Sequence, residues 1–388
     1  MTHGDNDPFD VETMIALRHD FHAHPELGFE EVRTSGIVAQ WLEQAGIEVH
    51  RGLGETGVVG TLRVGDGKRT IGLRADMDAL AMLELGELEY KSQKANTMHA
   101  CGHDGHTVML LAAARHLART RQFSGTVHFI FQPAEEGRGG AKAMLSDGFF
   151  ERFPIDAVYG LHNMPGLATN EMAVVAGPQL ASSDSWEVTF HGVGTHGAKP
   201  HLGRDAITAA AHFLTAVHTV VARVVDPLQP AVVSACAISA GDFRALNVIP
   251  DDVRVGGTAR AYAAEVRDQL EAEIGKLAQG IAATFGIRAS YSFHRRIAPV
   301  INEAGASAAA LAAAQAVTGR PVVTDFPPST AGDDFAEFSA KVPGCYVWLG
   351  NGPAVDGALH HNSRYDCDDD AIVTGARYWT TLVEQELR

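Results

Sequence analysis

The sequence predicts an α/β protein: a layered domain with a largely parallel central sheet, interrupted by a smaller α+β domain. Two observations carry this. Strand and helix candidates alternate from residue 58 to residue 161, the pattern of a layered sheet flanked by helices. Residues 184–296 change rhythm and read in the order β-α-β-β-α-β, a self-sufficient split unit of two helices on a four-stranded sheet. The first pattern then resumes. The expected organisation is a discontinuous domain, 1–183 and 297–388, around an insert at 184–296.

Residues 9–45 carry Ile15, Leu17 and Phe21, then Ile37, Val38, Trp41 and Leu42, at helical spacings broken by the loop His24–Gly28. Gly46 stops the second helix. Strands are expected at 58–64 and 70–74, a helix at 105–119, a strand at 126–131, a helix at 140–146 and a strand at 156–161. In the insert the expected elements are a strand at 185–191, one long helix at 204–225, strands at 231–240 and 252–262, a helix at 264–285 and a strand at 288–293. An alanine-rich helix at 304–318, a strand at 345–349 and a helix from residue 369 complete the chain.

Composition narrows the function. Of 388 residues, 46% are hydrophobic and 20% charged, enough apolar material for a large core. The net charge of −16 repels phosphate backbones and argues against nucleic acid as a partner. No long uncharged apolar run marks a membrane span, and the N-terminal residues lack the charge and apolar pattern of a secretory signal. Four cysteines do not make a disulfide framework, so a reduced, cytoplasmic protein is expected.

The chemistry gathers in short segments. His99-Ala100-Cys101-Gly102-His103-Asp104-Gly105-His106 puts a thiol and an imidazole two residues apart around a glycine, a spacing that lets both turn toward one ion. Asp104 is placed to cap the helix that follows. Gln132-Pro133-Ala134-Glu135-Glu136-Gly137 puts adjacent carboxylates directly after an apolar strand, where open α/β sheets carry their sites. One can bind metal while the other serves as a general base toward water. His162-Asn163 ends another strand, and His360-His361 lies in a late polar loop, where one of the pair is a plausible ligand. Taken singly, each reads as readily as a buried cysteine, an acidic loop or a polar strand exit. Together they supply five ligands, more than one structural zinc uses, and suit two divalent ions sharing a water. In the insert, Gly192–His201 is a Gly-rich turn carrying His196 and His201; it suits either an oxyanion donor at His196 or an ordinary hairpin.

These segments resemble the metal-dependent N-acyl-amino-acid amidohydrolases, the group of hippurate hydrolases, aminoacylase-like enzymes and auxin-conjugate hydrolases. The resemblance runs through RHDFHAHPELGFEE (18–31), LRADMDAL (73–80), MHACGHDGH (98–106), FQPAEEG (131–137), GLHNMPG (160–166), HGAKPH (196–201), NVIP (247–250) and GDDF (332–335). It implies a zinc-exopeptidase-like catalytic domain, a ferredoxin-like lid that also forms a homodimer, and two divalent ions, zinc or manganese first and cobalt or nickel as alternatives. It assigns Cys101, His103, Glu136 and His162 as metal ligands, with His361 rather than His360 as the fifth because the family places a histidine four residues before an aromatic, here Tyr365. It makes Glu135 the general base and acid, His196 the lid histidine that reaches the scissile carbonyl across the dimer, Asn247 and Arg260 substrate-facing, and Asp78 an outer carboxylate that orients a ligand. The implied activity is hydrolysis of the amide bond of N-acyl amino acids, with a dipeptidase or carboxypeptidase of the same fold as the alternative and a non-catalytic binding protein as the reading from another class. Three positions depart from the pattern: Thr195 where glycine is usual, Asp333 where glutamate is usual, and Cys367 where an aromatic is common.

Overall fold

In the computed structural model, residues 8–354 and 357–388 are described. The chain forms two compact units, one of residues 1–179, 301–327 and 333–388, the other of residues 180–300 and 328–332.

The first unit opens with α1 (Val11–Ala23) and α2 (Val32–Gln44), then β1 (Glu48–Leu53), β2 (Gly57–Val64), β3 (Thr70–Asp76), α3 (His103–Thr120), β4 (Gly125–Gln132), α4 (Gly140–Ser146), α5 (Phe149–Arg152), β5 (Ala157–Met164) and β6 (Met172–Ala173). The strand β7 (Gly177–Leu180) leads out of it, and β14 (Val300–Asn302) leads back to α9 (Ala304–Thr318), α10 (Ala336–Ser339), β15 (Gly344–Gly350) and α11 (Ala371–Glu386). The sheet order is β1-β2-β4-β3-β5-β15-β6. Its centre, β4-β3-β5-β15, is parallel, and β1, β2 and β6 join antiparallel, so the sheet is mixed rather than uniformly parallel. The central strands read as apolar runs because both faces are covered: every residue of β4 and β15 is buried. Helix α3 packs against α1, α2, α11 and β3 and buries Val108, Met109, Leu110, Leu111 and Leu117. Each such side chain contributes about 1.5–3 kcal/mol of burial. Because β3, β4 and β5 run parallel, their carboxyl ends meet at one edge, which gathers Asp76, Gln132 and His162 with the loops that follow.

The second unit contains β8 (Ser183–His191), β9 (Thr195–His196), α6 (Ala206–Ala216), α7 (Thr219–Arg223), β10 (Ala231–Ala240), β11 (Val248–Ile249), β12 (Asp252–Ala261), α8 (Ala264–Thr284) and β13 (Arg288–Ile297). Its sheet is antiparallel, in the order β10-β12-β8-β13. Strand β8 alternates strictly, burying Trp186, Val188 and Phe190 against Phe213 of α6 and Leu270 and Ile274 of α8.

Two expectations are corrected. The single helix at 204–225 is broken. Asp205 caps α6 through the backbone N–H of Ile207 and Thr208, but the Thr219 hydroxyl donates to the Ala216 carbonyl at 2.6 Å and His218 Nδ1 sits 3.2 Å from the Val233 carbonyl. These side-chain bonds compete with the helix ladder and end α6 there. Asp104 does not cap α3 either. The cap position is Gly102, and Asp104, the second residue of the helix and fully buried, pairs with Arg18 (3.3 Å) and His22 (2.9 Å).

Candidate metal centre

Cys101, Gly102 and His103 form the turn into α3. Gly102 has φ +89°, and a Cβ there would stand 2.3 Å from Asn163 Nδ2 and 2.5 Å from the Tyr365 hydroxyl, so both backbone shape and space require glycine. Two non-glycine residues beside the site are also left-handed: Ala134 (φ +53°), just before the paired glutamates, and His361 (φ +61°). Each is tied down by its backbone N–H. Ala134 donates to Glu31 Oε1 at 2.8 Å, and His361 donates to the Ala100 carbonyl at 2.8 Å.

The donor atoms converge. Within 4.8 Å of one another lie those of Cys101, His103 and His162; of Cys101, Glu136 and His361; and of His103, Glu135 and Glu136. Cys101 Sγ is 3.5 Å from His162 Nε2, and His361 Nε2 is 3.2 Å from Glu136 Oε1. Each ring is aimed by its other nitrogen. His162 Nδ1 bonds the Asn163 carbonyl at 2.7 Å, and His103 Nδ1 faces the Asp78 carbonyl at 2.9 Å and its carboxylate at 3.2 Å. His103 Nε2 is buried with no hydrogen-bond partner. A neutral-ring lone pair, a thiol and carboxylates around such an orphan nitrogen suit a borderline-soft divalent cation. His360 goes elsewhere: its Nε2 meets Asn163 Oδ1 at 3.0 Å.

Electrostatics separates the roles. Burial, then the carboxylates of Asp333, Glu136 and Asp334, raise Glu135 well above the ordinary carboxyl range. Burial keeps the His162 ring neutral, helped by neighbouring His106 and His360. Bonds to Cys101 and Glu136 outweigh burial and raise His361 to about 10.

His196, Asn247 and Arg260 lie in the second unit. His196 is exposed on β9, where its Nδ1 accepts from the Ala198 N–H at 3.0 Å. The Asn247 carbonyl accepts from the Gly197 N–H at 2.7 Å. Arg260 on β12 donates to the Ala259 carbonyl at 2.9 Å and to Thr258 Oγ1.

The structure also shows groups the motifs left without a role. Arg74 is fully buried and binds Asp76, Asp333, Asp334 and Gln132, while the Tyr346 hydroxyl donates to Asp333. Asp76 reaches His106 at 2.6 Å. Arg74 and Asp76 both stand in the LRADMDAL segment, two residues apart on the same face of β3, and that spacing was the available signal.

Residues 72–385 match peptidase family M20/M25/M40. The chain is 41% identical over 374 residues to the hippurate hydrolase of Campylobacter jejuni, covering 96% of each chain. The chain belongs to peptidase family M20/M25/M40. It is a hydrolase of amide bonds. It is also 35% identical over 371 residues to the N-acetylcysteine deacetylase of Bacillus subtilis, covering 95% of each. A solved M20 peptidase of Bacillus subtilis, described as dinuclear and metal-binding, superposes with a TM-score of 0.86 at 33% identity, covering 98% of this chain and 99% of that one. Among the described residues, no helix is long and apolar enough to cross a membrane.

Proposed function

We propose that this M20 member hydrolyses the amide bond of N-acyl amino acids, releasing a carboxylic acid and a free amino acid. The observation that carries it is the convergence of Cys101, His103, Glu136, His162 and His361 donor atoms beside the buried carboxyl of Glu135. The relatives support it by name: a hippurate hydrolase and an N-acetylcysteine deacetylase, each named for a substrate that is an N-acyl amino acid.

In this reading the five converging residues hold two divalent cations, zinc or manganese, with Cys101 common to two of the donor groups. Such a pair, when bound, supplies Lewis acidity and acidifies the attacking water. Glu135 takes the water's proton and returns it to the leaving amine; burial and its acidic neighbours raise this carboxyl above the ordinary range, which strengthens it as a base. Asp78 holds His103 and, through Oδ2, the Glu136 N–H at 2.9 Å, so one carboxylate sets two ligand segments. His196 is the oxyanion donor: because Nδ1 accepts from Ala198, the ring proton sits on Nε2. Asn247 and Arg260 of the second unit are assigned to substrate binding.

Residues 1–183 and 297–388 are the catalytic domain and 184–296 the lid, which also forms a homodimer in the cytoplasm. The exposed apolar side chains Ile238 on β10 and Phe243 and Leu246 after it support an interface on that edge.

The test is a panel of N-acetyl, N-benzoyl and indole-acyl amino acids and of dipeptides, assayed after chelation and reloading with each ion. Chelator-sensitive release of amino acid from one acyl class is expected. Cleavage of dipeptides alone would move the assignment to a dipeptidase or carboxypeptidase.

A further inference from the structure

Asn163 is fully buried at the end of β5, next to His162, and every polar atom of its side chain is engaged. Nδ2 donates to the Cys101 carbonyl at 2.6 Å and to His106 Nε2 at 2.9 Å. Oδ1 faces the Tyr365 hydroxyl at 2.6 Å and His360 Nε2 at 3.0 Å. Its backbone N–H donates to His106 Nε2 at 3.0 Å, and its carbonyl receives His162 Nδ1 at 2.7 Å.

Two consequences follow from these contacts. The amide joins the Cys101 turn to the 360–365 loop, which carries His361, while its own backbone sets the His162 ring. Three ligand-bearing segments therefore meet on one residue. The second consequence concerns His106. Two N–H groups point at its Nε2, so that nitrogen presents a lone pair and the ring proton sits on Nδ1, where it donates to Asp76 at 2.6 Å. The donor atoms of Asp76, His103 and His106 lie within 4.8 Å of one another, close enough to hold a cation by themselves. With its Nε2 lone pair engaged by Asn163 and its Nδ1 by Asp76, His106 offers that cation nothing.

We propose that Asn163 is a positioning residue that selects the metal set: it aligns the Cys101, His162 and His361 segments and withholds the competing His106. The proposal rests on the ligand assignment given above. It requires an amide at this position. A carboxylate of the same size would set oxygen against the Cys101 carbonyl and against the His106 lone pair.

The experiment uses the full chain, stripped of metal and titrated with cobalt(II) against a chelating indicator, with visible absorption recorded for the loaded protein. Outer partners of metal ligands typically govern binding by about 10–100-fold. Asn163→Asp is expected to weaken cobalt binding in that range and to change its absorption bands, while the metal-free protein keeps its far-ultraviolet circular dichroism. Tyr365→Phe, which removes one hydroxyl donor to Oδ1 and leaves the amide, is expected to give a smaller loss in the same direction, and it decides the matter if Asn163→Asp does not fold. His361→Ala is the control. If it weakens cobalt binding while Asn163→Asp and Tyr365→Phe retain wild-type affinity and bands, Asn163 is only packing, and the proposal is overturned with the ligand assignment intact. If His361→Ala leaves binding unchanged, the ligand assignment itself fails and the proposal falls with it.

Discussion

The Nδ1 of His103 lies 2.9 Å from the backbone carbonyl of Asp78 and 3.2 Å from its carboxylate, so one residue grips the ring twice. The other carboxylate oxygen of Asp78 receives the Glu136 N–H. Asp78→Asn keeps the shape but weakens the charge-assisted part of both holds. Metal affinity is expected to fall by roughly 10–100-fold, measured by competition with a chelator. Wild-type affinity in that variant would show that backbone contacts alone orient His103.

Glu135→Gln should load metal almost normally and lose turnover by about 10²–10⁴-fold, the usual contribution of a general acid–base group. Metal content and initial rate, measured on the same preparation, check this. An active, fully loaded variant removes Glu135 from the proton transfers.

Cys101 belongs to two of the donor groups, and a serine hydroxyl is a far poorer ligand for borderline-soft ions. After dialysis, Cys101→Ser should retain about one ion per chain instead of about two. Unchanged stoichiometry by elemental analysis would make Cys101 a buried core residue only.

His128 gives a stability prediction independent of the centre. It lies on β4, buried, with Nδ1 2.9 Å from Thr61 Oγ1. Burial, with Arg63 and His50 nearby, lowers it from 6.5 to about 4. The unfolded chain therefore binds this proton more tightly than the folded one. The stabilisation is fully present above pH 6.5 and is lost as pH falls toward 4, about 2 kcal/mol of it by pH 5. Urea unfolding of His128→Gln and wild type at pH 7.5 and pH 5 should show a smaller acid loss in the variant. Equal losses would assign the acid sensitivity elsewhere.

His196→Ala should keep its metal and lose about 10²–10³ in rate, the size of one oxyanion donor. Mixing it with Glu135→Gln chains tests whether the histidine serves a neighbouring subunit. Recovered activity is expected, because a mixed dimer then holds one site with both groups. No recovery, with subunit exchange verified, confines His196 to its own chain.

The sequence carried the repeating parts of the fold and much less of the irregular ones. Strands β4 and β15 were legible because burial on both faces makes them continuous apolar runs, and β8 because it alternates. Strand β1, with mostly exposed or half-buried side chains, gave no such signal, and the break between α6 and α7 depends on His218 reaching a strand carbonyl that is remote in sequence. Around the centre, Cys101, His103 and the paired glutamates stand out as residue types. Arg74, Asp333 and Asn163 do not, since their meaning lies in partners as much as 260 positions away.

Strand β15 lies between β5 and β6 in the sheet, although it is made after all the other strands. During synthesis the first unit therefore waits with β5 as an open edge and β6 without its strand partner, while the whole of the second can emerge and fold beforehand. The exposed flanks of β5 and β6 are open to wrong pairing in that interval. A chain truncated before residue 344 should consequently aggregate during translation rather than persist as a weakened enzyme, and slowing the ribosome after residue 300 should lower the yield of native protein.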